Sequence, residues 1–241
     1  MITTHYLIVG QGIAGTLMAW RLQRAGRSFH VIDPGHVEAS STVAAGIINP
    51  VTGRRIVKSW RIDDLLPELR RTYREIEDFL ETPVLHPSRV IRVLPNVEEE
   101  NKWAVQTARE GYEDYIAPQA DPACFSPYLH PFHAFGEIRN AYTVDWPLLL
   151  ARYRAFLSKT GRLTEARFAH DQLEFGAEYL TYGEQRFHNI IFCEGQGVRH
   201  NPWFRDLPFE FAKGEVLLIY LPGANFDAIL KHRLLIAPWQ G

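Results

Sequence analysis

The segment Tyr6–Asp33 constrains this chain most: Y-L-I-V-G-Q-G-I-A-G-T-L-M-A-W-R-L-Q-R-A-G-R-S-F-H-V-I-D. An apolar run ends on Gly10, and Gly12 and Gly15 complete G-x-G-x-x-G. A helical spacing continues through Ala19 and Leu22 to Gly26, and a second apolar run ends on Asp33. The glycine spacing alone recurs in ordinary turns. A strand before it, a helix after it and an acid closing the next strand make it a dinucleotide fingerprint. Gly10 permits the tight turn, Gly12 lets a pyrophosphate approach the backbone, and Gly15 lets the helix pack close to the sheet. The helix N-terminus offers free N–H groups and a positive dipole end to the phosphates. Asp33 can accept hydrogen bonds from both ribose hydroxyls, which favours a 2′-hydroxyl over the 2′-phosphate of NADP. Ala19, Leu22 and Ala25 mark the helix face expected to meet the sheet.

The chain has 241 residues, 46% hydrophobic and 22% charged, which suits one large or two small globular domains. The net charge of −2 gives no reason to expect a nucleic-acid partner. Two cysteines, Cys124 and Cys193, form neither a disulfide framework nor a C-x-x-C metal pattern, in keeping with a reducing, cytoplasmic location. No apolar run approaches the length of a membrane span. His130-x-x-His133 lies in a Pro-rich loop without a nearby acidic ligand, so no metal site is expected.

After Asp33 the order departs from a simple doubly wound domain. Residues 34–50 read as a loop of small residues. A helix is expected over 64–82, capped by Asp63 or Asp64, then a strand over 89–94 and a helix over 97–109. Residues 137–144 read as extended, and Asp145 can cap a helix carrying Leu149, Tyr153, Phe156 and Leu157 that Gly161 ends. Strands are expected over 163–168, 172–175, 179–182, 185–187 and 189–192, the middle ones as a β-meander. Residues 215–220 and 234–237 read as strands of a second sheet. The nucleotide-binding part is thus discontinuous, with a long insertion after its second strand.

This order resembles the flavoprotein family of D-amino-acid oxidase, glycine oxidase and sarcosine oxidase. The resemblance rests on Gly10–Asp33, on Ser40-Ser41-Thr42-Val43-Ala44-Ala45-Gly46-Ile47-Ile48-Asn49-Pro50, and on Ile190-Ile191-Phe192-Cys193-Glu194-Gly195. It implies an α/β fold: a Rossmann-like FAD-binding domain over 1–85 and 140–205, and a mostly antiparallel substrate domain over 86–139 and 206–241. It also implies FAD as cofactor. Gly10, Gly12, Ile13, Ala14 and Gly15 match the phosphate turn, and Asp33 the ribose acid. Ser40 and Ser41 match the hydroxyl donors to the pyrophosphate, and Ala45, Gly46 and Ile47 the backbone at the isoalloxazine. Phe168 matches a strand residue whose backbone binds adenine, and Gly195 the late turn. Glu194 departs from the family, which more often has a small or neutral residue there; an extra carboxylate needs a partner or solvent.

The implied reaction is oxidation of an amine or amino acid C–N bond by hydride transfer to flavin, with no dedicated acid–base residue required. The alternatives are a 2-hydroxy acid or polyol phosphate as substrate on the same fold, or a dinucleotide-binding piece without turnover. The oxidase domain of a bifunctional tRNA-wobble-base modifying enzyme belongs to the same family, and the lack of a basic surplus weighs against it. The cluster Asn49–Arg61 follows the flavin motif, and Arg54, Arg55, Lys58 or Arg61 is a candidate for a substrate carboxylate, because cations there, Arg above all, suit that partner. Nothing after Leu234 matches the family's closing segment, so the 241 residues read as part of a longer protein that would be inactive alone.

Overall fold

A computed structural model describes residues 3–35 and 39–238. They form two compact units, Met1–Ala44 with Trp146–Val216, and Ala45–Asp145 with Leu217–Gly241. In chain order, β1 (Thr3–Val9), α1 (Ile13–Arg24), β2 (Phe29–Ile32) and α2 (Ser40–Val43) open the first unit. The second unit holds β3 (Ile47–Ile48), β4 (Val51–Thr52), β5 (Val57–Lys58), α3 (Ile62–Leu80), β6 (Leu85–Leu94), α4 (Val97–Thr107), β7 (Ile116–Ala117) and β8 (Ala134–Val144). The chain returns to the first unit with α5 (Trp146–Lys159), β9 (Leu163–Thr164), β10 (Leu173–Phe175), β11 (Leu180–Tyr182) and β12 (Gln185–Phe192). Strands β13 (Ile229–Lys231) and β14 (Leu235–Ile236) belong to the second unit.

In the first unit the sheet order is β10-β11-β12-β1-β2-β9. The neighbours β12–β1, β1–β2 and β2–β9 are parallel; β11 and β10 add the antiparallel meander. Leu7 and Ile8 on central β1 are fully buried, as a strand covered on both faces requires. Helix α1 buries Ala19, Trp20 and Leu22. Ala25, expected on that face, instead caps the helix and is exposed, because Gly26 at φ 65° turns the chain away. The pairing of Val9 with Phe192 brings Gly10 and Cys193 off adjacent strand ends, tied by Cys193 N–H to the Val9 carbonyl at 2.7 Å. A ligand site at the C-terminal ends of parallel strands follows from this topology.

In the second unit the sheet order is β14-β13-β6-β8-β3, with β7 also on β8, and β4–β5 form a separate hairpin. Val90, Leu94, Trp103, Ile138 and Ile229 centre its core. Helix α3 begins at Ile62, earlier than expected, with left-handed Arg61 as its cap. Asp63 and Asp64 do not cap it; they lie in the first turn, where their charge meets the positive dipole end. Helix α4 is capped by Asn96, whose Oδ1 accepts from Glu99 N–H at 3.0 Å. Asn96→Ala should cost about 1 kcal/mol, read as a small drop in the thermal midpoint, and an unchanged midpoint would show the cap to be dispensable.

Three strand expectations differ. The strand expected over 163–168 stops at Thr164, and Phe168 follows it as a buried ring stacked 4.5 Å from Tyr182. The two short strands expected over 185–187 and 189–192 are one, β12, because pairing with β1 runs through both. Residues 215–220 form no strand; among the described residues nothing pairs with them, and Leu217, Ile219 and Tyr220 are exposed. A strand's backbone groups need a neighbour to bond, whatever the side-chain pattern. No helix among the described residues is long and apolar enough to cross a membrane.

Candidate dinucleotide site

A cavity of 520 Å³ opens in the first unit at the strand ends. Gly10, Gly12, Ile13, Ala14, Asp33, Ser40, Ser41, Phe168 and Gly195 all line it. Gly15 lies behind the turn, where a Cβ would collide with the Gly10 carbonyl oxygen. At Gly10, φ is 98° and a Cβ would collide with the Cys193 carbonyl. A Cβ at Gly12 would stand 2.9 Å from Ser41 Oγ, so this glycine keeps the floor of the cavity open.

Ser41 joins α2 to the fingerprint. Its Oγ accepts from Ile13 N–H at 3.1 Å, satisfying one orphan donor of α1. A hydroxyl that accepts still has its proton to give. Ser41 can therefore donate to a phosphate oxygen, the role expected of it, while serving the helix end.

Asp33 is 6% exposed and already has partners. Oδ2 accepts from Gln11 N–H at 2.8 Å, and Oδ1 from Gly35 N–H at 2.8 Å and Arg154 Nη1 at 2.7 Å. Arg154 also donates to Gln11 Oε1 at 3.0 Å. A carboxylate offers about four lone-pair sites. One remains for a ribose hydroxyl, where the sequence suggested two.

The late turn answers the question Glu194 raised. Its Oε1 meets His170 Nε2 at 2.7 Å, and its Oε2 accepts from Asn201 Nδ2 at 2.7 Å. His170 and Glu194 both line the cavity. Beside them, burial and then the Glu194 charge push the Cys193 thiol up to about 11. A thiol held so far from its thiolate packs rather than reacts.

In the second unit, Gly46 has φ 66°, and a Cβ there would collide with the Val144 carbonyl. Ile47 and Ile48 pair with Thr143 and Tyr142, so the backbone of Ala45–Ile47 is held against β8. Of the four basic candidates, Lys58 bonds Asp63 at 2.6 Å and the Gly111 carbonyl at 3.2 Å, and Arg61 bonds Asp64 at 3.0 Å. Lys58 holds the Asp63 carboxyl below its usual range, helped by Tyr115. Arg54 and Arg55 sit exposed in the β4–β5 turn, with no ion pair among the described residues. His133, one of the two loop histidines, meets Glu100 Oε2 at 2.6 Å.

The family model described as FAD dependent oxidoreductase (DAO) matches residues 5–239. The chain belongs to this DAO family. Solved structures share its fold. Glycine oxidase from Geobacillus kaustophilus is 14% identical with a TM-score of 0.62, covering 85% of this chain and 59% of that one. L-amino acid deaminase from Proteus vulgaris is 16% identical with a TM-score of 0.59, covering 79% and 47%. L-alpha-glycerophosphate oxidase from Mycoplasma pneumoniae, solved with FAD bound, is 16% identical with a TM-score of 0.57, covering 95% and 65%. The chain thus spans about half to two thirds of the length of these DAO-fold proteins.

The sequence did not point to Gln11, Arg154, His170 or Asn201. Gln11 is a free position of the fingerprint. Arg154 lies 121 residues from Asp33 and looks like any basic residue on a helix. His170 and Asn201 had one available signal, the unexplained carboxylate of Glu194 that they satisfy.

Proposed function

We propose that this chain binds FAD in the first unit and serves an enzyme that oxidises the C–N bond of an amine or amino acid. One observation carries the cofactor reading: the cavity gathers, within one unit, the N-terminus of α1, the Ser41 hydroxyl with its proton to give, and a buried Asp33 with one acceptor position left. These are the complements of a pyrophosphate and a ribose. The glycine-lined floor leaves room for the backbone approach that a pyrophosphate makes. When bound, the flavin supplies the acceptor for a hydride equivalent from the C–H beside the amine. Ala45, Gly46 and Ile47 would present backbone to the isoalloxazine. Arg54 and Arg55, without a carboxylate partner among the described residues, would orient the substrate's carboxylate by bidentate hydrogen bonds.

The amino-acid class is supported by the DAO family and by fold neighbours named as glycine oxidase and L-amino acid deaminase. A second reading, oxidation of a hydroxyl in a 2-hydroxy acid or polyol phosphate, draws on the glycerophosphate oxidase, whose structure covers the most of this chain among the three. Titration of the full-length protein with FAD, NAD and NADP tests the cofactor. FAD should bind tightest, and tighter binding of NAD would end the flavin reading. Anaerobic mixing of the flavin-loaded protein with amino acids, 2-hydroxy acids and glycerol phosphate then separates the substrate classes. Bleaching of the flavin's visible band by amino acids alone is the expected outcome.

A further inference from the structure

We propose that Glu194 is a positioning residue for the adenosine end of the nucleotide site, acting through His170 and Asn201. The proposal rests on the dinucleotide reading of the cavity. Glu194 side-chain exposure is only 9%, and each of its oxygens is taken by a different segment of chain. His170 follows Phe168, the residue matched to adenine binding. Asn201, fully buried, follows the short 3₁₀ helix over Gly195–His200 that starts beside Glu194. One carboxylate therefore fixes the segment after Phe168 and both ends of the late turn.

The aromatic packing carries this restraint to the cavity wall. The His170 ring lies edge-on to Phe168 at 5.2 Å and nearly parallel to Phe192 at 6.0 Å, with Trp203 also at 6.0 Å. Phe168 is stacked on Tyr182, whose hydroxyl accepts from Ala169 N–H at 3.0 Å. Asn201 Oδ1 in turn accepts from Trp203 N–H at 2.9 Å. Phe168, His170, Glu194, Gly195 and His200 then form one wall of the cavity. Packing alone gives no reason for a carboxylate here. A small neutral residue would fill the space, and a bare negative charge would repel a diphosphate. Hydrogen bonds to both Glu194 oxygens make the carboxylate a restraint on the surface that an adenine ring would meet.

The test uses the full chain and two probes, ADP for the adenosine half and FAD for the whole cofactor, with calorimetric titration and thermal unfolding of the ligand-free proteins. Glu194→Ala should raise the Kd of ADP and of FAD by the same factor, tenfold or more. Glu194→Gln should restore both to within about threefold of wild type, because the amide can accept from Asn201 and donate to His170. If Glu194→Ala does not fold, His170→Phe carries the test: it keeps the ring packing, removes one tie, and should weaken ADP and FAD equally. Variants with a lowered thermal midpoint but unchanged Kd for ADP would overturn the proposal and leave Glu194 a purely structural residue. Loss without rescue by glutamine would overturn the hydrogen-bond mechanism. A wild-type chain that binds ADP and NAD but not FAD ends the flavin reading alone, since the ADP comparison still decides the role of Glu194. A wild-type chain that binds no ADP ends both.

Discussion

Replacing Asp33 by alanine is expected to lower FAD affinity and fold stability together. The affinity loss comes from the ribose hydrogen bond. A bond to a charged acceptor contributes roughly 1.5–3 kcal/mol, which is about tenfold to a hundredfold in Kd. The stability loss comes from Arg154. Its guanidinium donates to Asp33 at 2.7 Å, with side-chain exposures of 16% and 9%. Removing Asp33 leaves the Arg154 guanidinium with the largely exposed Glu165, at 3.6 Å, as its ionic partner, so the cost stays below the roughly 3–5 kcal/mol of a buried charge left wholly unpaired. Arg154→Ala separates the two effects. It strands the same pair but keeps the carboxylate, anchored by Gln11 and Gly35. Stability should fall as it does in Asp33→Ala, and FAD affinity should fall less. Thermal unfolding and flavin-fluorescence titration of both variants give the answer. An unchanged Kd in Asp33→Ala would remove Asp33 from the ribose.

The second large effect is a contrast between two glycines of one motif. Gly15→Ala is expected to abolish folding of the first unit. Its Cβ meets the Gly10 carbonyl, which is backbone in a turn and cannot rotate away. Overpacking of this kind costs about 1–3 kcal/mol where side chains can yield, and more where they cannot. Gly12→Ala should leave the unit folded, because its Cβ meets Ser41 Oγ, the tip of a rotatable side chain. It should instead lose FAD affinity, since moving Ser41 breaks its contact with Ile13 N–H and narrows the phosphate floor. Thermal unfolding with FAD titration reads both variants. A stable Gly15→Ala chain that retains FAD would show the turn to be far more yielding than its geometry implies.

The fingerprint was legible because local spacing encodes local geometry. Gly10, at φ 98°, and Gly15, against the Gly10 carbonyl five residues back, had to be glycine for local reasons, whereas Gly12 is constrained by Ser41 across the cavity. The run 189–192 was legible as a strand for a similar reason: an apolar run of that length needs another strand to pair with, and it pairs with β1. Arg154 and His170 were not legible as partners of Asp33 and Glu194, because they lie 121 and 24 residues away and their types are common on any surface. The same limit explains residues 215–220. Their pattern reads as a strand, but a strand is a relation between two segments, and one segment cannot reveal that its neighbour is lacking. The basic cluster after Pro50 was visible as charge, yet only the structure separates Lys58 and Arg61, neutralised locally, from Arg54 and Arg55.

The pairing of β1 with β12 carries a consequence for how the protein comes into being. Thr3 pairs with Arg186 and Val9 with Phe192, with the whole of β3 to β8 emerging between them. During synthesis the glycine turn and Asp33 leave the ribosome early, yet Phe168, Glu194 and Gly195 arrive only after residues 45–145, the larger part of the second unit, have been made. A β1-α1-β2 segment waiting that long exposes the apolar flank of β1 that β12 will later cover, and closing so distant a contact is slow. On the dinucleotide reading of the cavity, cofactor capture would be a late event. A free dinucleotide that holds both strand ends would act as a folding aid as much as a reactant, favouring closure of the central strand pair over aggregation of its open edge.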